Sequence, residues 1–123
     1  MAGDPAVGYT ETHQVIVRVG YGRGPEMAQR LEDNNIICNY QAAPDEESFT
    51  ASGALRMGVA EMTRFGMAAK DLGELAALIR DVVVRGTHVK EKVKALRARF
   101  LDLHYCFKGK EYADLLQKLH GLL

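Results

Sequence analysis

Tryptophan is absent from this chain, cysteine occurs only twice and proline three times. Cys38 and Cys106 are too few and too isolated for a disulfide framework or a zinc site, which leaves a reducing, cytoplasmic setting as the simple reading. Excess charge is lacking too: 16 Lys plus Arg balance 16 Asp plus Glu. A formal net charge of zero gives no general attraction for nucleic acid or an acidic membrane surface. No long hydrophobic run occurs either. The most apolar helical pattern, Leu75-Ala-Ala-Leu-Ile79, is cut by Arg80 and Asp81, so nothing is expected to span a bilayer. Met1-Ala-Gly-Asp-Pro5 has neither the basic start nor the apolar stretch of a secretory signal. The four histidines are scattered, with no pair at ligand spacing beside a Cys or carboxylate.

What is present is ordinary globular composition, 47% apolar and 26% charged. At 123 residues the chain has length for one modest core. Residues 1–11 mix Gly, Pro, Ala and Thr and are expected to form a poorly ordered lead-in, with a single small domain over 12–123. Val15-Ile-Val-Arg-Val19 is rich in β-branched residues and predicts a strand. Gly20-Tyr-Gly-Arg-Gly24 is read as a plain strand-to-helix loop. Its three glycines lack the Lys-Ser/Thr that would make a phosphate loop. Pro25 suits a first helical turn, with Met27, Ala28 and Leu31 on one face, and Asn34 or Asn35 suits its end. Ile36-Ile-Cys-Asn39 predicts a second strand and Ala54 to Met57 a short third one.

A brief helix is expected over 59–66 and a long one over 69–84. The long helix carries a stripe of Leu72, Leu75, Ala76, Ile79, Val82 and Val83, and Gly86 stops it. Thr87 is the expected cap of the next helix, striped by Val89, Val93, Leu96 and Phe100. Alternation of Leu101, Leu103, Tyr105 and Phe107 with polar residues and Cys106 predicts a strand. Lys110 to Leu123 reads as a last helix with Tyr112, Leu115, Leu116 and Leu119 inward. This order makes an α/β (α+β) two-layer sandwich, a three- to four-stranded sheet with helices mainly on one face.

The residue that stands out is Arg56, in an apolar setting at the end of a short strand. A guanidinium cannot shed its charge, so it needs an anionic partner. On spacing alone, an ion pair with Glu61 or Asp45 is the ordinary outcome.

Asn34-Asn-Ile-Ile-Cys-Asn39, Pro44, Ser52-Gly53 and the run Arg56 to Met67 resemble, in order, the small C-terminal domain of serine hydroxymethyltransferase. The pattern is that of archaeal-type members of these fold-type I pyridoxal-phosphate enzymes. It covers about residues 12–100, with 101–123 an extra strand and helix. There is one additional residue between Ser52-Gly53 and Arg56, and the loop after Pro44 is shorter. The resemblance implies that Arg56 grips the carboxylate of an amino-acid substrate, serine or glycine. It makes Gln41 a weak candidate for a pterin contact, and Ser52 and Gly53 weak candidates for shaping the site. Asn39-Tyr-Gln41 stands where Asn-Lys-Asn is commoner, which leaves the folate or pterin co-substrate open.

The family's cofactor, pyridoxal phosphate, is held by a large domain. The Thr/His-rich run leading into its Schiff-base lysine is not found here; Lys70, Lys90 and Lys108 stand in other settings. The resemblance thus implies a partner large domain, a homodimeric parent, and no catalysis by this chain alone. A threonine aldolase or transaldolase parent stays open, as does a stand-alone binding or assembly module that uses Tyr105, Phe107 and Tyr112 as an interface.

Overall fold

The computed structural model describes residues 1–43, 45, 51–104 and 109–122. Among these, three strands and five α-helices follow one another. They are β1 (Val15–Arg18), α1 (Gly24–Asp33), β2 (Asn39–Gln41), β3 (Ala54–Met57), α2 (Ala60–Arg64), α3 (Ala69–Arg85), α4 (Lys90–Arg97) and α5 (Lys110–His120). The sheet is antiparallel in the order β1-β3-β2. The third strand in sequence is therefore central, with Ile16 and Asn39 flanking Arg56, and Val17 and Tyr40 flanking Leu55. Helices supply the second layer, and the expected α/β sandwich is what forms.

The core lies between the sheet and α1, α3 and α4. Leu55 is 0% exposed and packs with Met27, Leu31, Val82 and Val93. Met27, Ala28 and Leu31 are the buried face of α1, and Val89, Val93, Leu96 and Phe100 turn inward around α4, as their spacing predicts. The α3 stripe is shifted. Leu78 is buried and Ala76 exposed, because the face is centred on Leu75, Leu78 and Val82.

Several expectations are corrected. Ile36 to Cys38 are not strand; β2 starts only at Asn39. Asn35 is left-handed at φ 64, the Asn35 N–H returns to Glu32 O at 2.8 Å, and the Ile36 N–H returns to Leu31 O at 2.9 Å. That is a Schellman end, in which the apolar residue after the turn packs back on the helix. Ile36 is buried for this reason, so its hydrophobicity does not mark a strand.

Thr87 does not cap α4. Its N–H goes to Asp81 O at 3.0 Å, closing α3 behind the left-handed Gly86. The α4 cap comes from 55 residues upstream: buried Asn34 accepts the Val89 N–H on Oδ1 at 2.6 Å and donates from Nδ2 to Arg30 O at 2.9 Å.

The lead-in is partly tied down. The Ala2 N–H bonds Ile16 O at 2.8 Å, and Asp4 caps the turn at Pro5–Val7. The alternation at 101–107 does not give a strand over its described part. Leu101 and Leu103 are exposed, and Tyr105 to Phe107 lie outside the described residues. Helix α5 forms but buries none of its residues. Among the described residues no helix is long and apolar enough to cross a membrane.

Candidate functional site

The central strand is held in place at its start by a close approach. A Cβ on Gly24 would lie 2.6 Å from Ser52 O and 3.1 Å from Ala54 O, so only glycine lets α1 begin against β3. The Gly24 N–H donates to Ser52 O at 2.8 Å and the Val19 N–H to Gly53 O at 2.8 Å. Ser52 and Gly53 are buried, and their carbonyls anchor the β1–α1 loop. Their position fixes where β3 begins, and hence which residues face which way.

Side chains alternate along a strand. Leu55 faces the helices, so its neighbour Arg56 faces the other side of the sheet. The register puts Ile16 and Asn39 beside Arg56, and Arg18 and Gln41 beside Ala54, on that same face. Arg56 and Gln41 thus sit diagonally, about 7–8 Å apart at Cα. This face is the side of the sheet without the helical core, and Arg56 on it is half-buried.

The two carboxylates that spacing offered to Arg56 are engaged by other arginines. Asp45 accepts from Arg18 Nη1 at 2.5 Å, and that hydrogen bond holds its carboxyl below the ordinary range. Glu61 lies 3.9 Å from Arg64, one turn along α2. Among the described residues Arg56 forms no ion pair. Arg18 is matched by Asp45, so Arg56 is left as the unmatched cation on the three strands. Thr63 back-bonds to Ala60 O at 2.8 Å inside α2. Arg64 is exposed.

A cavity of about 860 Å³ lies on the helical side, where β3 ends and α2, α3 and α4 meet. Arg56 and Asn39 border it, while Gln41, Ser52 and Gly53 do not line it. Its walls include Met57, Met62, Met67, Leu75 and Ile79. Cys38 is also there, and burial pushes its thiol up from 9.0. Arg56 and Asn39, paired across the strands, thus stand together at the border of this cavity. Sequence reading missed Asn39 as the cross-strand neighbour of Arg56. It also missed the Asn34 cap, because neither pairing has a local signature. Among the described residues no three His, Cys, Asp or Glu come together to hold a metal ion.

The chain is 43% identical over 113 residues to the serine hydroxymethyltransferase of Pyrobaculum aerophilum, covering 88% of this chain and 26% of that protein. It is 42% identical over 123 residues to the one from Staphylothermus marinus, covering 93% and 28%. Nearly the whole chain is thus similar to one part of the serine hydroxymethyltransferases. It spans about a quarter of the length of the curated relatives it matches. Its structure is similar to that of L-threonine transaldolase from Pseudomonas fluorescens in the internal aldimine state. That match has a TM-score of 0.72 at 26% identity, over 93% of this chain and 28% of the other. No family model matches.

A Schiff base with pyridoxal phosphate needs an amine; none of the residues of β1, β2 or β3 is a lysine, and Lys94 is the lysine among the residues that line the cavity. The strands offer a guanidinium and two amides, which suit an oxyanion and a hydrogen-bonding ring.

Proposed function

We propose that this chain is the small domain of a serine hydroxymethyltransferase-type pyridoxal-phosphate enzyme, and that Arg56 binds the carboxylate of its amino-acid substrate. The observation that carries this is the half-buried guanidinium on the central strand, which forms no ion pair among the described residues and borders the cavity. A bidentate Arg–carboxylate contact uses two parallel N–H···O bonds. Each charge-assisted bond contributes about 1.5–3 kcal/mol. The fork also fixes the substrate's orientation, because the guanidinium is planar and the strand beneath it is central and packed. Orientation decides which bond at the α-carbon is presented for cleavage.

In this reading the substrate is serine or glycine. The cofactor supplies the electron sink and is held by a large domain facing the open side of the sheet. Gln41, on the same face, contacts a reduced folate or related pterin, with donor and acceptor both available on its amide. Ser52 and Gly53 shape the site only through the start of β3. The complete protein works as a homodimer, and this chain by itself turns nothing over.

The test is the complete protein, assayed with serine and tetrahydrofolate. Arg56→Ala is expected to lower kcat/KM by about 10²- to 10⁴-fold, the loss of two such bonds. An unchanged kcat/KM refutes the assignment.

A second reading, a threonine transaldolase-type enzyme, is favoured by the structural neighbour and by Gln41 standing where the pterin contact is expected. It keeps the same arginine and dispenses with the folate. Turnover of threonine with an aldehyde, and none of serine with tetrahydrofolate, selects it.

A further inference from the structure

Arg56 has two cross-strand neighbours, and they differ in what they offer a bound oxyanion. Ile16 on β1 has no polar side-chain group, whereas Asn39 on β2 carries an amide. Residues directly opposite in an antiparallel pair have Cβ atoms about 4.5–5.5 Å apart, within reach of one small ligand. Arg56 and Asn39 both border the cavity, whose walls include the apolar Met57 and Met62.

The Asn39 amide is uncommitted. Among the described residues the side chains of Asn39 and Arg56 form no hydrogen bond. Asn39 is exposed, so its side chain is not part of the core. An amide supplies two N–H donors and no charge. An aspartate at this position would close the guanidinium fork with an internal ion pair. Asparagine leaves the fork open and sets donors beside it.

A carboxylate has about four lone-pair directions, of which a bidentate arginine uses two. The rest need donors, because an acceptor left unpaired beside apolar walls loses its hydration without replacement. Two other donors at the cavity border are turned to their own surroundings. Arg97 donates to Phe100 O and lies over the Phe65 ring, and Lys94 stands 3.9 Å from Glu91. Asn39 is the strand neighbour with a donor to give.

We propose that Asn39 is a second substrate-binding residue of this domain, its Nδ2 donating to the carboxylate that Arg56 holds. This rests on the reading of Arg56 as the carboxylate grip and adds a contact to it. The fork comes from β3 and the third bond from β2, so the carboxylate is held by two strands of one sheet. A third bond stops the ligand rocking on the guanidinium and keeps the α-carbon in one orientation.

The test is glycine affinity of the complete protein by calorimetry, with wild type, Asn39→Ala, Asn39→Asp and Arg56→Ala side by side and Tm by scanning. Asn39→Ala is expected to weaken glycine binding about tenfold, the low end for a hydrogen bond to a charged group. Asn39→Asp has the same shape but competes for Arg56, and is expected to weaken binding further, toward the Arg56→Ala value. Tm stays at the wild-type value in both Asn39 variants. Loss of binding in Arg56→Ala with wild-type affinity in both Asn39 variants overturns this inference and leaves the Arg56 reading standing. Wild-type affinity in Arg56→Ala overturns both. A fall in Tm that accounts for the Asn39 losses overturns the inference too, since it assigns Asn39 to the fold.

Discussion

Leu55 and Arg56 are consecutive residues of β3, yet one is sealed from water and the other is a cation with no ion pair among the described residues. The pleat divides the strand into two jobs. The Leu55 side binds the sheet to α1, α3 and α4 and sets stability. The Arg56 side carries the half-buried guanidinium to which the proposed ligand role belongs. An apolar residue in place of Arg56 would give up little of the core, whereas a polar residue in place of Leu55 would break it. Substitutions on the two faces should therefore separate stability from binding.

The largest loss of stability is expected on the packed side. Leu55→Ala removes a fully buried side chain beside Met27 and Leu31 and should lower unfolding free energy by about 2–5 kcal/mol in urea denaturation. Amino-acid binding by the folded fraction should persist. Loss of binding by folded Leu55→Ala protein would mean that the two faces are not separable.

Gly24→Ala comes next. Its Cβ would stand 2.6 Å from a backbone oxygen of Ser52, and relief of that overlap should cost about 1–3 kcal/mol. A shift in the start of β3 should then appear as changed amide chemical shifts from Gly53 to Met57. Asn34→Ala should cost about 1–2 kcal/mol by removing the cap on Val89, with faster amide exchange at the start of α4.

The smallest effect belongs to Asp45 on the exposed side. Its carboxyl is held below the ordinary 3.8 by the Arg18 hydrogen bond. A depressed folded-state value gives stability that is present above the unfolded value and lost as pH falls through the folded one. Asp45→Asn should thus leave Tm at pH 7 nearly unchanged and slightly flatten the acid limb below pH 3.8. A large Tm drop at neutral pH would show that the open face contributes to stability after all.

Much of the helical layer was legible because its determinants are local. Pro25, the Met27-Ala28-Leu31 face, Gly86 and the Val89-Val93-Leu96 stripe are all set within a turn or two of themselves. Legibility failed where a residue's partner is distant. Ile36 looked like strand because its packing on Leu31 across a left-handed Asn35 reads as mere hydrophobicity. Thr87 looked like a cap because the true one, Asn34, is remote in sequence. Helix α5 was recognisable as amphipathic, but a periodic stripe states only that a face wants cover, not what covers it. Arg56 was recognisable as an anomaly on its strand. Its facing was not, since that depends on Leu55 meeting the core and on the β1–β3–β2 order.

The most direct measurement compares the complete protein with its Arg56→Lys variant for glycine affinity by calorimetry and for Tm by scanning. Lysine keeps the charge and loses the fork. The expected result is glycine binding weakened by about 10- to 150-fold, the equivalent of one charge-assisted bond, with Tm unchanged. Undiminished glycine affinity, or a fall in Tm that accounts for the loss, would contradict a carboxylate-binding role for Arg56.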